Sequence, residues 1–117
     1  MNKMVTNEIL KGSLKTIVLK LLKEEGPMHG YVITRKVEEL TKGKIKLTYG
    51  ALYPLLHKLK KEGALVTATE IRNNRTRIYY ALTPKGQKLV IEKIKELAEF
   101  IESVQNIINL QPGLSHA

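Results

Sequence analysis

A chain of 117 residues, 43% hydrophobic and 26% charged, has the size and balance of one soluble globular unit and is too short for a two-domain enzyme built around an interdomain cleft. No apolar run approaches the ~20 residues that cross a bilayer, there is no cysteine, and the opening MNKMVTNEILKG has no apolar leader core, so no membrane partner and a cytoplasmic setting are expected. The net charge of +9 is uneven: residues 1–86 carry 17 Lys and Arg against 7 Asp and Glu, and residues 87–117 carry 3 against 4, so a polyanion is expected to meet the first part only.

From Asn7 to Glu25, Leu10, Leu14, Ile17 and Leu21 recur at spacings of four, three and four, with Ile9, Val18 and Leu22 beside them. This spacing predicts a first helix with one buried face. Gly26 and Pro27 end it. A second, short helix is expected from about Gly30 to Leu40, with Tyr31, Val32, Val37 and Leu40 inward and Thr34, Arg35, Lys36 and Glu38 partly outward. His29, next to Gly30, is expected to satisfy the start of that helix. TKGK then supplies a turn and IKL a brief extended link. Thr48 is a good N-cap for a third helix reaching about Glu62, with Leu52, Leu55, Leu56 and Leu59 as its core stripe.

Gly50 and Pro54 look out of place inside that helix. Pro54 cannot donate to the Gly50 carbonyl, and its ring crowds the same turn. The helix is therefore expected to be distorted or to begin late, with a contact end before Pro54 and an anchoring end after it. Gly63 stops it.

Next come two β-prone runs, ALVTATEI and TRIYYAL, separated by RNNR, which together predict a β-hairpin. Asn73 and Asn74 are assigned to the turn, because Asn tolerates left-handed backbone. Thr83 caps a last helix with Pro84 at its favoured first position, continuing to about Leu110. Along it Val90, Ile94, Leu97, Ile101, Val104 and Ile108 recur at four, three, four, three and four, a seam of period 3.5. Ile91, Ala98, Phe100 and Ile107 add further apolar surface, more than a small domain readily covers. The seam is expected to pair with a second chain, the alternative being a fold-back onto its own domain. The closing QPGLSHA reads as frayed.

Three helices, a hairpin and a separate long helix give an α+β, mainly α, chain in the order of a winged helix-turn-helix module. Residues 1–83 form that module, 84–111 the dimerisation helix and 112–117 a disordered tail. The third helix takes the recognition position. Thr48, Tyr49, Gly50, Ala51, Tyr53, His57 and Lys58 are its candidates for DNA contact. Three of the four arginines, Arg72, Arg75 and Arg77, crowd the hairpin tip, and arginine suits multidentate contact with phosphates or bases. Lys44, Lys46, Lys60 and Lys61 are expected to meet phosphates or remain solvated. An enzyme is not expected: His29, His57 and His116 have no metal-site spacing, and no phosphate loop, nucleophile motif or cofactor signature appears. The rival reading is a winged-helix protein-interaction module.

Three blocks in order, PMHGY at Pro27–Tyr31, LYPLLHKLKKEGAL at Leu52–Leu65 and RTRIYYALTPKGQKL at Arg75–Leu89, resemble the PadR family of transcriptional regulators. The single short C-terminal helix is similar to that of the family's smaller subfamily. The resemblance implies a homodimeric repressor that binds double-stranded DNA, with paired recognition helices on a pseudo-palindromic operator and wings at the flanks. It also implies a hydrophobic small-molecule effector, since some members of that subfamily hold flat drugs between subunits against aromatic residues of the last helix. Here the chain departs from the pattern: it has no tryptophan, and Phe100 is the last helix's one aromatic residue.

Overall fold

In the computed structural model, which describes residues 10–108, helix α1 runs from Leu14 to Glu25 and buries Leu14, Val18, Leu19, Leu21 and Leu22. The longer first helix expected from Asn7 is interrupted at Gly12–Ser13. Ser13 turns both its amide, at 2.9 Å, and its hydroxyl, at 3.1 Å, onto the Leu10 carbonyl and takes the N-cap position of α1. A glycine followed by a serine that bonds its own neighbourhood favours a turn over a continuous helix. The proposed start at residues 7–9, the helix end at 109–111 and the tail at 112–117 lie outside the described residues.

Gly26 closes α1 in the left-handed region at φ 84, and its amide donates to the Leu22 carbonyl. Strand β1, Met28–His29, follows and pairs antiparallel with Tyr80 and Tyr79. Two residues carry no periodicity, so this strand is defined only by its partner. His29 occupies the N-cap position of α2, Gly30–Leu40, but its side chain makes no capping bond. Its ring instead lies parallel to that of Tyr31 at 6.2 Å and edge-on to Tyr79 at 5.5 Å.

Val37 is buried and Val32 packs partly against the core as expected, but Gly30 and Ile33 complete the inward face in place of Tyr31 and Leu40. Tyr31 and Leu40 stand 49% and 70% exposed, while Ile33 is fully buried. Gly30 permits this orientation: a Cβ there would overlap the Tyr53 hydroxyl, so only glycine lets the start of the helix lie this close to the third helix. Lys42 and Gly43, both with positive φ, then turn the chain.

Helix α3 is continuous from Tyr49 to Lys61, with Pro54 inside it. The expected late start does not occur. Pro54 leaves one carbonyl without a partner, that of Gly50, and both residues are exposed on the outer face, where water can replace the missing bond. Thr48 secures the first turn, accepting from the Ala51 amide at 3.2 Å, while Leu52, Leu56 and Leu59 are fully buried behind the proline.

Strands β2, Leu65–Arg72, and β3, Arg75–Leu82, form the hairpin, and the sheet order is β1-β3-β2. Asn73 and Asn74 are both left-handed, at φ 53 and 62, as a two-residue turn between twisted strands requires. Helix α4, Pro84–Ile108, is capped by Thr83, whose hydroxyl accepts from the Gly86 amide at 3.0 Å. The same hydroxyl donates to the Gly63 carbonyl at 2.6 Å.

Gly50 and Gly86, each in the first turn of its helix, differ sharply in surroundings. A Cβ on Gly86 would collide with the backbone carbonyl of Ala64, whereas one on Gly50 would meet only the Thr48 hydroxyl, at 3.9 Å. Gly86→Ala should therefore cost about 1–3 kcal/mol, lowering the melting temperature followed by circular dichroism. Gly50→Ala should leave stability unchanged or raise it by up to about 1 kcal/mol.

Burial holds the Tyr80 phenol above the usual tyrosine range, with nearby Tyr53 adding to the effect. The fold thus favours neutral Tyr80. That contribution is complete below pH 10.0, the ordinary phenol value, and is lost as pH rises through the higher folded value. Alkaline melts should show a steeper loss for the native protein than for Tyr80→Phe.

Candidate nucleic-acid interface

Helix α3 packs against α2 and strand β2 and buries Leu52, Leu56 and Leu59, so it presents its other side outward. Thr48, Tyr49, Gly50 and Ala51 are exposed at its N-terminal turn, and His57 and Lys58 are exposed farther along. Lys60 and Lys61 are exposed in its last turn, and Lys44 and Lys46 on the approach to it. Tyr53 differs from this group. It is half-buried, its ring lies 5.5 Å from that of Tyr49, and its hydroxyl reaches back to the start of α2.

Register decides where the hairpin arginines stand. Arg72 pairs with Arg75 and Glu70 with Arg77, and residues paired across a ladder share a face. All three arginines therefore share the face opposite the one on which Leu65 and Tyr80 enter the core. Arg72 Nε lies 3.3 Å from Glu70 Oε1. Among the described residues, neither Arg75 nor Arg77 has an acidic partner within 4.0 Å. The tip thus carries more charge than its own carboxylate neutralises.

A second cationic feature was not legible as a site in the sequence. Arg35 Nη1 donates to the Tyr31 hydroxyl at 2.7 Å, and its guanidinium lies 5.7 Å from that ring's centre. The bond to Tyr31 pushes the Arg35 pKa further up. The i, i+4 spacing permits the pair, but the sequence reading had turned Tyr31 inward. Tyr31, Tyr53 from the first turns of α3 and residues 76–80 of β3 border a small cleft of about 230 Å3.

The seam of α4 does not stand on one uniform surface. Val90 is fully buried within its own domain, which removes it from the face a partner can reach, and Ile94 packs partly against the same core. Leu97 and Val104 are half-buried, and Ile101 and Ile108 are 47% and 51% exposed. Between α1 and the middle of α4 runs a groove of about 700 Å3, lined in part by Ile17, Leu97, Phe100 and Ile101. Among the described residues, no group of three or more His, Cys, Asp or Glu is placed to hold a metal, and no helix is long and apolar enough to cross a membrane.

The arrangement has counterparts among known proteins. A transcriptional regulator from Mycobacterium tuberculosis is 31% identical over 80 residues, covering 68% of this chain and 72% of that protein. The structure of a transcriptional regulator from Clostridium thermocellum matches with a TM-score of 0.74 at 28% identity, over 87% of this chain and 95% of the other. That of a PadR family transcriptional regulator from Eggerthella lenta matches with a TM-score of 0.70 at 26% identity, over 86% and 82%. The profile of the transcriptional regulator PadR-like family matches residues 18–92, from within α1 through α3 and the hairpin into α4. Because that match takes in every element of the winged helix together with the start of the helix that leaves it, the chain belongs to the PadR-like family of transcriptional regulators, DNA-binding proteins that are not enzymes.

Proposed function

We propose that the protein is a sequence-specific repressor that binds a pseudo-palindromic operator as a homodimer in the cytoplasm. The observation that carries this reading is the division of unsatisfied surface between the two ends of the chain. The helix-and-wing end exposes the basic and polar side chains of α3 and the hairpin tip beside scattered Leu40, Val66, Ile71 and Ile78, whereas the far half of α4 exposes Phe100 at 64%, Ile101 at 47% and Ile107 at 80% on one helix. One end suits a polyanion, the other a second apolar surface.

The N-terminal turns of α3, with Thr48, Tyr49, Gly50 and Ala51, enter the major groove, and His57 and Lys58 follow along the helix. Tyr53 supports this end from behind. Arg72, Arg75 and Arg77 engage the flanking backbone or minor groove. Two copies joined through Ile94, Leu97, Ile101, Val104 and Ile108 set the half-sites about one helical turn, ~34–36 Å, or a multiple of it, apart. The charges of α4 support an antiparallel meeting, since Lys85, Lys88, Lys93 and Lys95 outnumber Glu92 in its first half and Glu96, Glu99 and Glu102 lie at its midpoint and beyond. The groove beside Phe100 is the place for a hydrophobic effector that releases the operator.

Genomic footprinting should reveal paired, symmetry-related half-sites; protection without symmetry, or none on any duplex, would sink this reading. Replacing Arg72, Arg75 and Arg77 by Ala should weaken binding and reduce the magnitude of the salt slope by up to about three units. Unchanged affinity and slope would remove the wing from the interface. Glu at both Leu97 and Ile101 forces charge into the seam and should yield folded monomers. A variant that stays dimeric by light scattering would defeat the proposed pairing.

A further inference from the structure

The small cleft between the start of α2, the first turns of α3 and β3 combines an aromatic and apolar lining with two phenol hydroxyls that have no acceptor. Thr76, Ile78 and Tyr80 alternate along β3, so their side chains share the face of the sheet on which Tyr80 enters the core. Tyr53 comes from α3, and its hydroxyl lies beside Gly30, where the missing Cβ makes room for it. Tyr31 and His29, whose rings lie parallel, border the remaining side.

Tyr80 is 4% exposed, and among the described residues neither its hydroxyl nor that of Tyr53 has a hydrogen-bond partner in the protein. The Tyr80 oxygen is not sealed away, however. Glu70 Oε1 is the one fully enclosed side-chain polar atom without a partner among the described residues, so the Tyr80 hydroxyl keeps access to open space, and the cleft is the space that Tyr80 borders. A nearly buried donor of this kind gains when an acceptor is brought to it.

Size and charge narrow what that acceptor can be. At about 230 Å3 the cleft is smaller than the ~300–1,000 Å3 typical of drug-sized ligands, which limits it to a compound of one ring. No Lys, Asp or Glu borders it, and the Arg77 side chain stands on the opposite face of β3. A carboxylate placed there would lose water without gaining a counter-ion. Burial also keeps the Tyr80 phenol in its neutral, donating form.

We propose that this cleft binds a small, neutral, planar compound of one ring, whose carbonyl oxygen accepts from the Tyr80 hydroxyl with Tyr53 as a second donor. Ile78 and Tyr31 form its apolar walls. The site is separate from the groove beside Phe100 and does not depend on DNA binding. Its occupant bridges α3 and the wing, so it should also change duplex affinity; that consequence alone rests on the DNA-binding reading above.

The test titrates the full chain with benzamide, nicotinamide and uracil, and with benzoate as the charged counterpart of benzamide, while Ile methyl and aromatic ring signals are followed by NMR. At least one neutral compound should shift Ile78, Tyr53 and Tyr80 and leave Phe100 in place, and benzoate should bind more weakly than benzamide. Tyr80→Phe should reduce affinity roughly threefold to tenfold, the share of one hydrogen bond, with an unchanged circular dichroism spectrum. Ile78→Ala, at a position 46% exposed, should weaken binding without loss of fold. Failure of all the neutral compounds to move these signals at millimolar concentration, native affinity in Tyr80→Phe, or shifts confined to the groove beside Phe100 overturns the site. Binding here by a protein that takes up no duplex would uphold the site and remove the DNA-binding reading.

Discussion

The close approach of Gly86 to the Ala64 carbonyl determines how the two ends of this protein are joined. Ala64 follows α3, and Gly86 lies in the first turn of α4, so the contact brings the end of one against the beginning of the other. Hydrogen bonds gather around it. Thr83 gives its amide to the Ala64 carbonyl at 3.0 Å and its hydroxyl to Gly63, and Lys85 Nζ donates to the Glu62 carbonyl at 2.7 Å. The carbonyls released at the end of α3 are thereby used to fasten α4, which satisfies both helix ends with one joint. Every side chain larger than hydrogen at position 86 would pry that joint open.

The rest of the molecule follows from the direction this joint imposes. Val90, one turn farther on, drops into the domain core, and Ile94 packs against its edge. Beyond them α4 passes its own domain, and its apolar residues face outward in increasing number. At the opposite end the leucines of α3 are consumed by the core, which leaves the polar face of that helix in solvent. Burial thus leaves the basic side chains concentrated at the α3 end and the apolar residues Phe100, Ile101 and Ile107 concentrated at the far end of α4.

Much of this was legible because the signals were local or strictly periodic. Gly26, Thr48, Thr83 and the Asn73–Asn74 pair announce ends and turns through backbone chemistry that needs no distant partner. The spacing of Leu52, Leu56 and Leu59 identifies the buried side of α3 in the same way. Strand β1 was not legible, since two residues make a strand only when Tyr79 and Tyr80 stand opposite. The orientation of α2 was misread for a related reason: hydrophobicity assigned Tyr31 inward, but the close approach of Gly30 to Tyr53, distant in sequence, permits an orientation in which Ile33 and Val37 face the core. Pro54 was overweighted because a proline's cost depends on whether the carbonyl it deprives is buried, and exposure is a tertiary property. Of the interface, the basic hairpin was visible in composition, whereas the Tyr31–Arg35 pair required the helix rotation to be known.

The Thr83 hydroxyl, which caps one helix while bonding to the carbonyl just beyond another, also makes the joint a fulcrum. With 25 residues, α4 is a rigid arm of about 37 Å. A tilt of about 5° at its base carries the far end through about 3 Å, and the reverse holds: displacement at the distant tip reaches the joint reduced in size but applied directly to the last turn of α3. The arm trades distance for torque.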